Sequence, residues 1–306
     1  MKHIYFRYFS LLFIGFTLFS CTPAAKRKKQ IAVTIEPQKA IIKTIADTLF
    51  DVVTLVPKGQ SPETYDPSPQ EMQQLADCEA YFYIGQLGFE KNWVKRIGEV
   101  NAGIKLFDME PQVGGCTSAP GNNNGTCNSD HKHDDTHICT DPHYWTSISG
   151  ALELARNTYA ALVSLSDPHD SISMKMMERN YNSLVADIDK VGADIKSILS
   201  GVTSRSFVIF HPSLTDFAKD FNLTQLVVEQ HGKDPNPAQL RDLIDRARHD
   251  HVKVVLLQPE FNTDIIRNIA QEINAEIVTI NPLDGDWKAQ MYHVARSIAH
   301  ADQAHH

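Results

Sequence analysis

From Ile31 onward, short runs rich in β-branched and aromatic residues alternate with stretches whose apolar positions recur every three or four residues. Residues 31–36, 52–56, 80–84 and 104–107 read as strands, with helices over 38–49, 70–78 and 89–100 between them. Such alternation predicts βαβ units around a parallel sheet. Past a long polar loop, apolar spacing through Ala151, Leu154, Ala155, Ala161 and Leu162 predicts a helix that begins near Trp145. Residues 170–199 then hold no proline and one glycine, with Met174, Met177, Tyr181, Leu184, Ile188, Val191, Ile195 and Ile198 on a three-four repeat. We read one long helix there, roughly 40 Å at ~1.5 Å per residue. After Gly201 the alternation resumes, with strands over 206–210, 225–229, 252–257 and 276–280 and helices over 214–221, 237–249, 265–273 and 287–299. The predicted fold class is α/β: two (β/α) lobes with mainly parallel sheets, joined by one long backbone helix. The N-terminal lobe is expected over 31–168, the linking helix over 169–200 and the C-terminal lobe over 201–306.

The first twenty residues are of another kind. Lys2 and Arg7 precede an apolar run over 10–19, which closes on Leu18-Phe19-Ser20-Cys21. The run is shorter than the ~20 residues of a spanning helix, so 1–20 reads as a signal peptide. Leu-Phe-Ser-Cys resembles the lipobox of bacterial lipoproteins, which implies a lipid anchor on Cys21. Residues 21–30, with Lys26-Arg27-Lys28-Lys29, are then a solvated tether. Without Lys2 and Arg7, the 29 basic residues fall to 27 against 37 acidic ones. A balance near −10 without a basic stripe argues against nucleic acid as a partner. Cys78, Cys116, Cys127 and Cys139 remain after processing. In an exported protein they allow disulfides, in any of three complete pairings.

In open parallel sheets the ligand crevice lies at the carboxyl ends of the strands. Side chains able to hold a metal fall at those points. Glu63 lies in the turn after the second strand and His143 in Asp141-Pro142-His143-Tyr144-Trp145. His211 directly follows the strand over 206–210, and Asn281 the strand over 276–280. Each lobe thus offers two nitrogen or oxygen donors at the rim facing the other, a layout suited to holding one ion between them. Each also has a plainer reading. Glu63 fits a solvated turn, His143 a first helical turn behind a capping aspartate, and Asn281 before Pro282 ordinary turn chemistry. His211 is harder to dismiss, since an imidazole buried at a strand end needs a partner.

Taken in order, these segments resemble the cluster A-I solute-binding proteins of zinc and manganese ABC importers. Ser61-Pro62-Glu63-Thr64-Tyr65-Asp66-Pro67-Ser68-Pro69 is similar to the family's Pro-His-x-Tyr-x-Pro-x-Pro, and Asp141-Pro142-His143-Tyr144-Trp145 to its Asp-Pro-His-x-Trp. Phe210-His211 matches its Phe-His, and Asn281-Pro282-Leu283 resembles its closing Asp-Pro-Leu. The resemblance implies a monomeric periplasmic lipoprotein that binds a metal and hands it to a membrane permease driven by a cytoplasmic ATPase. Two residues depart from the pattern: Glu63 stands where the family has histidine, and Asn281 where aspartate is common. An amide oxygen is a weaker, uncharged donor, so the fourth position is open to a water, to a bidentate Glu63 or to a nearby carboxylate, Glu260 or Asp284. Either carboxylate would neutralise the net positive charge of the site with a divalent ion.

Residues 114–139 add His131, His133 and His137 among acidic residues, in a stretch with no apolar pattern. A surface insertion explains that composition, and so does auxiliary zinc recruitment, since zinc-type relatives carry a His-rich loop at this point. Cys116, Cys127 and Cys139 flank these histidines, whereas His300, His305 and His306 are too sparse to interpret. Histidine at 211, where manganese-type relatives tend to carry glutamate, favours Zn2+ as cargo, and Glu63 pulls modestly toward Mn2+. The expectation is zinc capture rather than catalysis. Its alternatives are manganese or iron capture, a zinc-dependent hydrolase, and a surface adhesin or metal buffer without a transporter. A hydrolase lacks support from any His-Glu-x-x-His helix.

Overall fold

The computed structural model describes residues 28–111, 141–229, 233–261 and 263–304. The expected signal peptide, Cys21, the loop histidines His131, His133 and His137, and Cys116, Cys127 and Cys139 lie outside the described residues.

In the first lobe the order is β1 (Lys29–Val33), α1 (Glu36–Ala46), β2 (Phe50–Thr54), α2 (Pro69–Leu75), β3 (Ala80–Tyr83), α3 (Gly88–Val100) and β4 (Lys105–Asp108). All pairings are parallel and the strands lie in the order β2-β1-β3-β4. A 3-10 turn (Tyr144–Thr146) leads into α4 (Ile148–Leu165) and α5 (Ser171–Ile198). The second lobe runs β5 (Ser206–Ile209), α6 (Thr215–Asp220), β6 (Thr224–Val227), α7 (Pro237–His249), β7 (Val254–Leu257), α8 (Thr263–Ile273), β8 (Glu276–Thr279) and α9 (Trp287–Ala304). Its sheet, β6-β5-β7-β8, is again parallel and repeats the first. In each sheet the chain steps out to one side of the first strand and returns on the other. That reversal opens a crevice at the carboxyl ends of β1 and β3, and of β5 and β7.

Both faces of the inner strands are covered, which accounts for apolar runs without polar alternation. Ile31 and Val33 join a core with α1, α4 and the first half of α5, while Ala32 and Tyr81 face Phe89 and Ile97 of α3 on the opposite side. Phe207 and Ile209 meet α9 and the second half of α5, and Val208 and Phe210 meet α7 and α8. The long helix is capped by Asp170, which accepts from Ser173 N. Its Met177 and Ile188 complete one lobe's core, and its Val191 and Ile195 the other's. The helix is therefore a packed wall of both lobes, which rules out a solvated coiled-coil arm.

Some boundaries differ from those expected. The chain makes a 3-10 turn at Tyr144 before α4 starts at Ile148, because Ser147 Oγ accepts from Gly150 N and caps the helix there. Gly150 is required at this point: a Cβ would lie 1.9 Å from the Tyr144 carbonyl oxygen. Glu36 opens α1 with Pro37 behind it, instead of ending a strand. Cys78 is a free, buried thiol among the described residues, pushed up to about 11 by burial and then by the charge of Asp77. Within the described residues no helix is long and apolar enough to cross a membrane.

Hydrogen bonds fasten the two lobes near their shared rim. Trp145 Nε1 donates to the Pro282 carbonyl at 2.9 Å, and Trp287 Nε1 donates back to the Trp145 carbonyl at 2.6 Å. Thr146 Oγ1 donates to the Ser213 carbonyl, and Ile148 N to Asp220 Oδ2.

Candidate metal centre

Glu63 is set by a turn rather than by a strand or helix. Thr64 N and Tyr65 N both donate to the Ser61 carbonyl, and the turn is tied to the start of α3 through Phe89 N to Pro62 O at 2.8 Å. Gly88 N, also in the first turn of α3, donates to Glu63 Oε2 at 3.0 Å. The helix N-terminus favours a carboxylate there. Close approach explains the glycine, since a Cβ on Gly88 would lie 2.2 Å from the Glu63 carbonyl oxygen. The other carboxylate oxygen, Oε1, is buried and has no hydrogen-bond partner.

His143 leads into the 3-10 turn, and Asp141 Oδ1 accepts from both its backbone N at 2.8 Å and its Nδ1 at 2.9 Å. Burial by itself would raise the Asp141 carboxyl, but hydrogen bonding and charge from His143 hold it below the ordinary range, so it stays ionised. His211 follows β5, where Glu229 Oε2 accepts from its Nδ1 at 2.9 Å. Gln258 donates to the His211 carbonyl at 2.9 Å, and Phe261 stacks on the imidazole at a centroid distance of 5.1 Å. Burial, and then the neighbouring His143, push the His211 imidazole below its ordinary value.

The two rings meet nearly edge to face, with the Nε2 atoms 3.2 Å apart. Glu63 Oε1 lies 4.0 Å from His143 Nε2, and one donor atom from each of the three residues falls within 4.8 Å of the others. Donors on a tetrahedral zinc, at roughly 2.0–2.1 Å from the ion, sit about 3.3–3.4 Å apart. The imidazole pair already has that separation, and Glu63, 4.0 Å from His143 and within 4.8 Å of the other donors, must close in by roughly 0.6–1.4 Å to join it. The cleft they line together with Ser213, Gln258, Glu260 and Phe261 has room for about 10 Å³, the size of one water. A cation in that space would give Oε1 the partner it lacks, so the donor set fits a single divalent ion.

Of the further candidates, Glu260 lines the same cleft but stands outside the set of mutually close donors. Burial raises its carboxyl above the ordinary value. Asp284 stands outside the set of mutually close donors, and Asn281 and Asp284 both line a cleft with Ile35, Glu36 and Lys58. Their acceptors are used locally, because Asn281 Oδ1 accepts from Leu283 N and Asp284 Oδ1 from Asp286 N. His300 pairs with Glu276 at the surface, away from the cleft. Glu229, Gln258 and Phe261 were not singled out from the sequence, although the strand-end rule that flagged His211 applies equally to Glu229.

Two parallel α/β lobes with a two-imidazole, one-carboxylate cluster at their common rim define the class: a bilobed, metal-binding solute-binding protein. Over residues 31–301 the chain matches the family described as ZnuA, zinc-uptake complex component A, periplasmic, and it belongs to that family. It is 24% identical over 276 residues to the high-affinity zinc uptake system protein ZnuA of Bacillus subtilis (strain 168), covering 84% of this chain and 79% of that protein. A putative metal-binding protein of Treponema pallidum (strain Nichols) is 22% identical over 259 residues, covering 84% and 80%. Among solved structures, a crystal structure of ZnuA superposes with a TM-score of 0.76 at 30% identity, over 90% of this chain and 99% of that one. A ZnuA deletion mutant solved with zinc bound gives 0.76 at 32%, over 90% and 98%.

Proposed function

We propose that this chain captures one zinc ion outside the cytoplasm and delivers it to the permease and ATPase of an ABC importer. Glu63, His143 and His211 are the ligands in this reading, and Glu260 is the fourth donor, which neutralises the charge left by two imidazoles, one carboxylate and a divalent cation. The observation that carries it is the pair of Nε2 atoms 3.2 Å apart beside a buried carboxylate oxygen with no partner. Similarity to a zinc uptake protein and to a zinc-bound structure supports zinc as the ion. The role in this reading is binding rather than catalysis, which membership of a zinc-uptake family supports. Cys21 carries the lipid anchor, and His131, His133 and His137 act as an auxiliary zinc trap, both on the strength of their sequence context.

Manganese is the second reading, favoured by the two carboxylates, Glu63 and Glu260, that face the cleft. Relative affinity does not separate the two, since zinc outcompetes manganese at most nitrogen and oxygen sites. Metal analysis of protein lacking residues 1–21, with chelator competition, should give one tightly held zinc. His143→Ala and His211→Ala should each weaken binding at least a hundredfold. Folded double variant that still retains one tight zinc would overturn the site. Rescue of a deletion strain by zinc or by manganese decides the cargo.

A further inference from the structure

Both imidazoles of the cluster turn Nε2 toward the same point, and each is backed by a carboxylate that no part of the coordination uses. An ionised carboxylate only accepts hydrogen bonds, so the nitrogen facing it must carry the proton. Asp141 faces His143 Nδ1 and Glu229 faces His211 Nδ1, each at 2.9 Å. A neutral imidazole with its proton on Nδ1 has its lone pair on Nε2, the atom that faces the other ring. We infer that Asp141 and Glu229 are paired positioning residues, each fixing one imidazole as the Nδ1–H tautomer so that two Nε2 lone pairs converge before an ion arrives.

Neither carboxylate owes its place to chance surface contact. Asp141 also accepts from the His143 backbone N, so its oxygen is fixed by the turn that carries the ring. Glu229 is fixed by the sheet. The β5–β6 pairing sets Ile209 opposite Val227, and its continuation, with Glu229 N donating to the Phe210 carbonyl at 3.0 Å, brings Glu229 beside His211. Each lobe therefore supplies one imidazole together with that imidazole's own carboxylate, and Thr215 of the second lobe adds a side-chain hydrogen bond to Asp141. Two lone pairs facing one another at 3.2 Å repel unless a cation or a proton lies between them, so the carboxylates hold the site in a state that favours cation entry. They also add two negative charges behind the ligands, which strengthens attraction for a divalent ion. In metal sites such outer carboxylates are worth roughly 10–100-fold in affinity.

The inference rests on the proposed metal site, and the test separates the two. Glu229→Leu removes both charge and acceptor, whereas Glu229→Gln keeps an acceptor oxygen and loses the charge. Long-range proton–nitrogen NMR of metal-free protein at pH 7.5 reads the His211 tautomer, and chelator competition reads zinc affinity. The wild type should show Nδ1–H. Glu229→Leu should shift His211 toward Nε2–H and lose 10–100-fold in affinity, and Glu229→Gln should keep Nδ1–H with a smaller loss. A wild-type His211 in the Nε2–H form, or a folded Glu229→Leu protein within twofold of wild-type affinity, overturns the inference. If Glu229→Leu does not fold, the wild-type tautomers of His143 and His211 and the Glu229→Gln affinity decide it. Wild-type protein that binds no zinc would overturn the site reading itself.

Discussion

At Glu63, one carboxylate oxygen accepts from the start of α3 while the other is buried without a partner. Leaving a buried acceptor unmade costs about 1–3 kcal/mol, so this side chain holds binding capacity at the expense of stability. Glu63→Gln keeps the shape and removes the charge. It should leave the metal-free protein as stable as wild type or about 1 kcal/mol more so, while zinc affinity falls at least tenfold. Denaturant melts and chelator competition measure the two, and an amide that destabilised the protein without changing affinity would show that Oε1 does not face the ion. His211 sets the pH response. Burial holds its folded value below the ordinary 6.5, so near that pH the unfolded chain takes up a proton that the folded chain does not. Metal-free stability therefore falls as pH drops through about 6.5 and levels off once the folded ring protonates. Glu90 runs the other way. Burial pushes it up to about 7 despite hydrogen bonds from Thr34, Ile84, Gly85 and Leu87, so its contribution is present at low pH and is lost as pH rises through that value. Comparing wild type with His211→Gln between pH 7.5 and 5.5 isolates the histidine, and identical slopes would refute its depressed value.

Among the elements, α3 shows how a scaffold aims a ligand. Glu90 accepts from Ile84 N and Gly85 N at the end of β3 and from Thr34 Oγ1 at the end of β1, so the first turn of α3 is bolted to the crevice of the first sheet. Gly88 in that turn then touches the backbone of Glu63. By helix propensity alone, Gly88→Ala would stabilise by up to ~1 kcal/mol. We expect the opposite, a loss of about 1–3 kcal/mol from overpacking, together with weaker zinc binding as the Glu63 turn is displaced. A variant with raised stability and wild-type affinity would show that the contact is easily relaxed. The elements themselves were largely legible in the sequence, because strands buried on both faces, such as β5 and β7, leave unbroken apolar runs. Glu63, His143 and His211 could be picked out by their places after strands or at a helix start. Their convergence could not, since it depends on how two lobes pack. The cases of Asn281 and Glu229 show what decides the rest. Both follow strands, but the oxygen of Asn281 accepts from Leu283 N within its own turn, whereas sheet register sets Glu229 against His211. Register between β5 and β6 is a property of the paired strands, and no spacing within either one reveals it.

For the whole molecule, the question is how far the lobes move when the site fills. A hinge between domains usually passes through a few loop residues that absorb a large backbone rotation. Here α5 packs into both cores, so a rotation of one lobe must either bend the helix or break one of its interfaces. Near the cluster, Trp145 and Trp287 exchange reciprocal hydrogen bonds with the backbone across the rim, and Trp145 is two residues from His143. Since the imidazoles already stand at a zinc-like separation, filling the site requires local shifts of Glu63 and Glu260 more than a closure of lobes. Solution scattering of metal-free and zinc-bound protein should therefore agree with backbone shifts of no more than ~1 Å, the range of preorganised partners. Trp287→Phe tests the latch, because it keeps most of the ring while deleting the Nε1–H and leaving the Trp145 carbonyl without that donor. It should cost about 1–3 kcal/mol, speed amide exchange across Tyr144–Thr146, and lower zinc affinity although Trp287 is not a proposed ligand. Unchanged exchange across that turn, or a large lobe closure in the wild type, would mean that rigidity at the rim is not what keeps the two imidazoles in place.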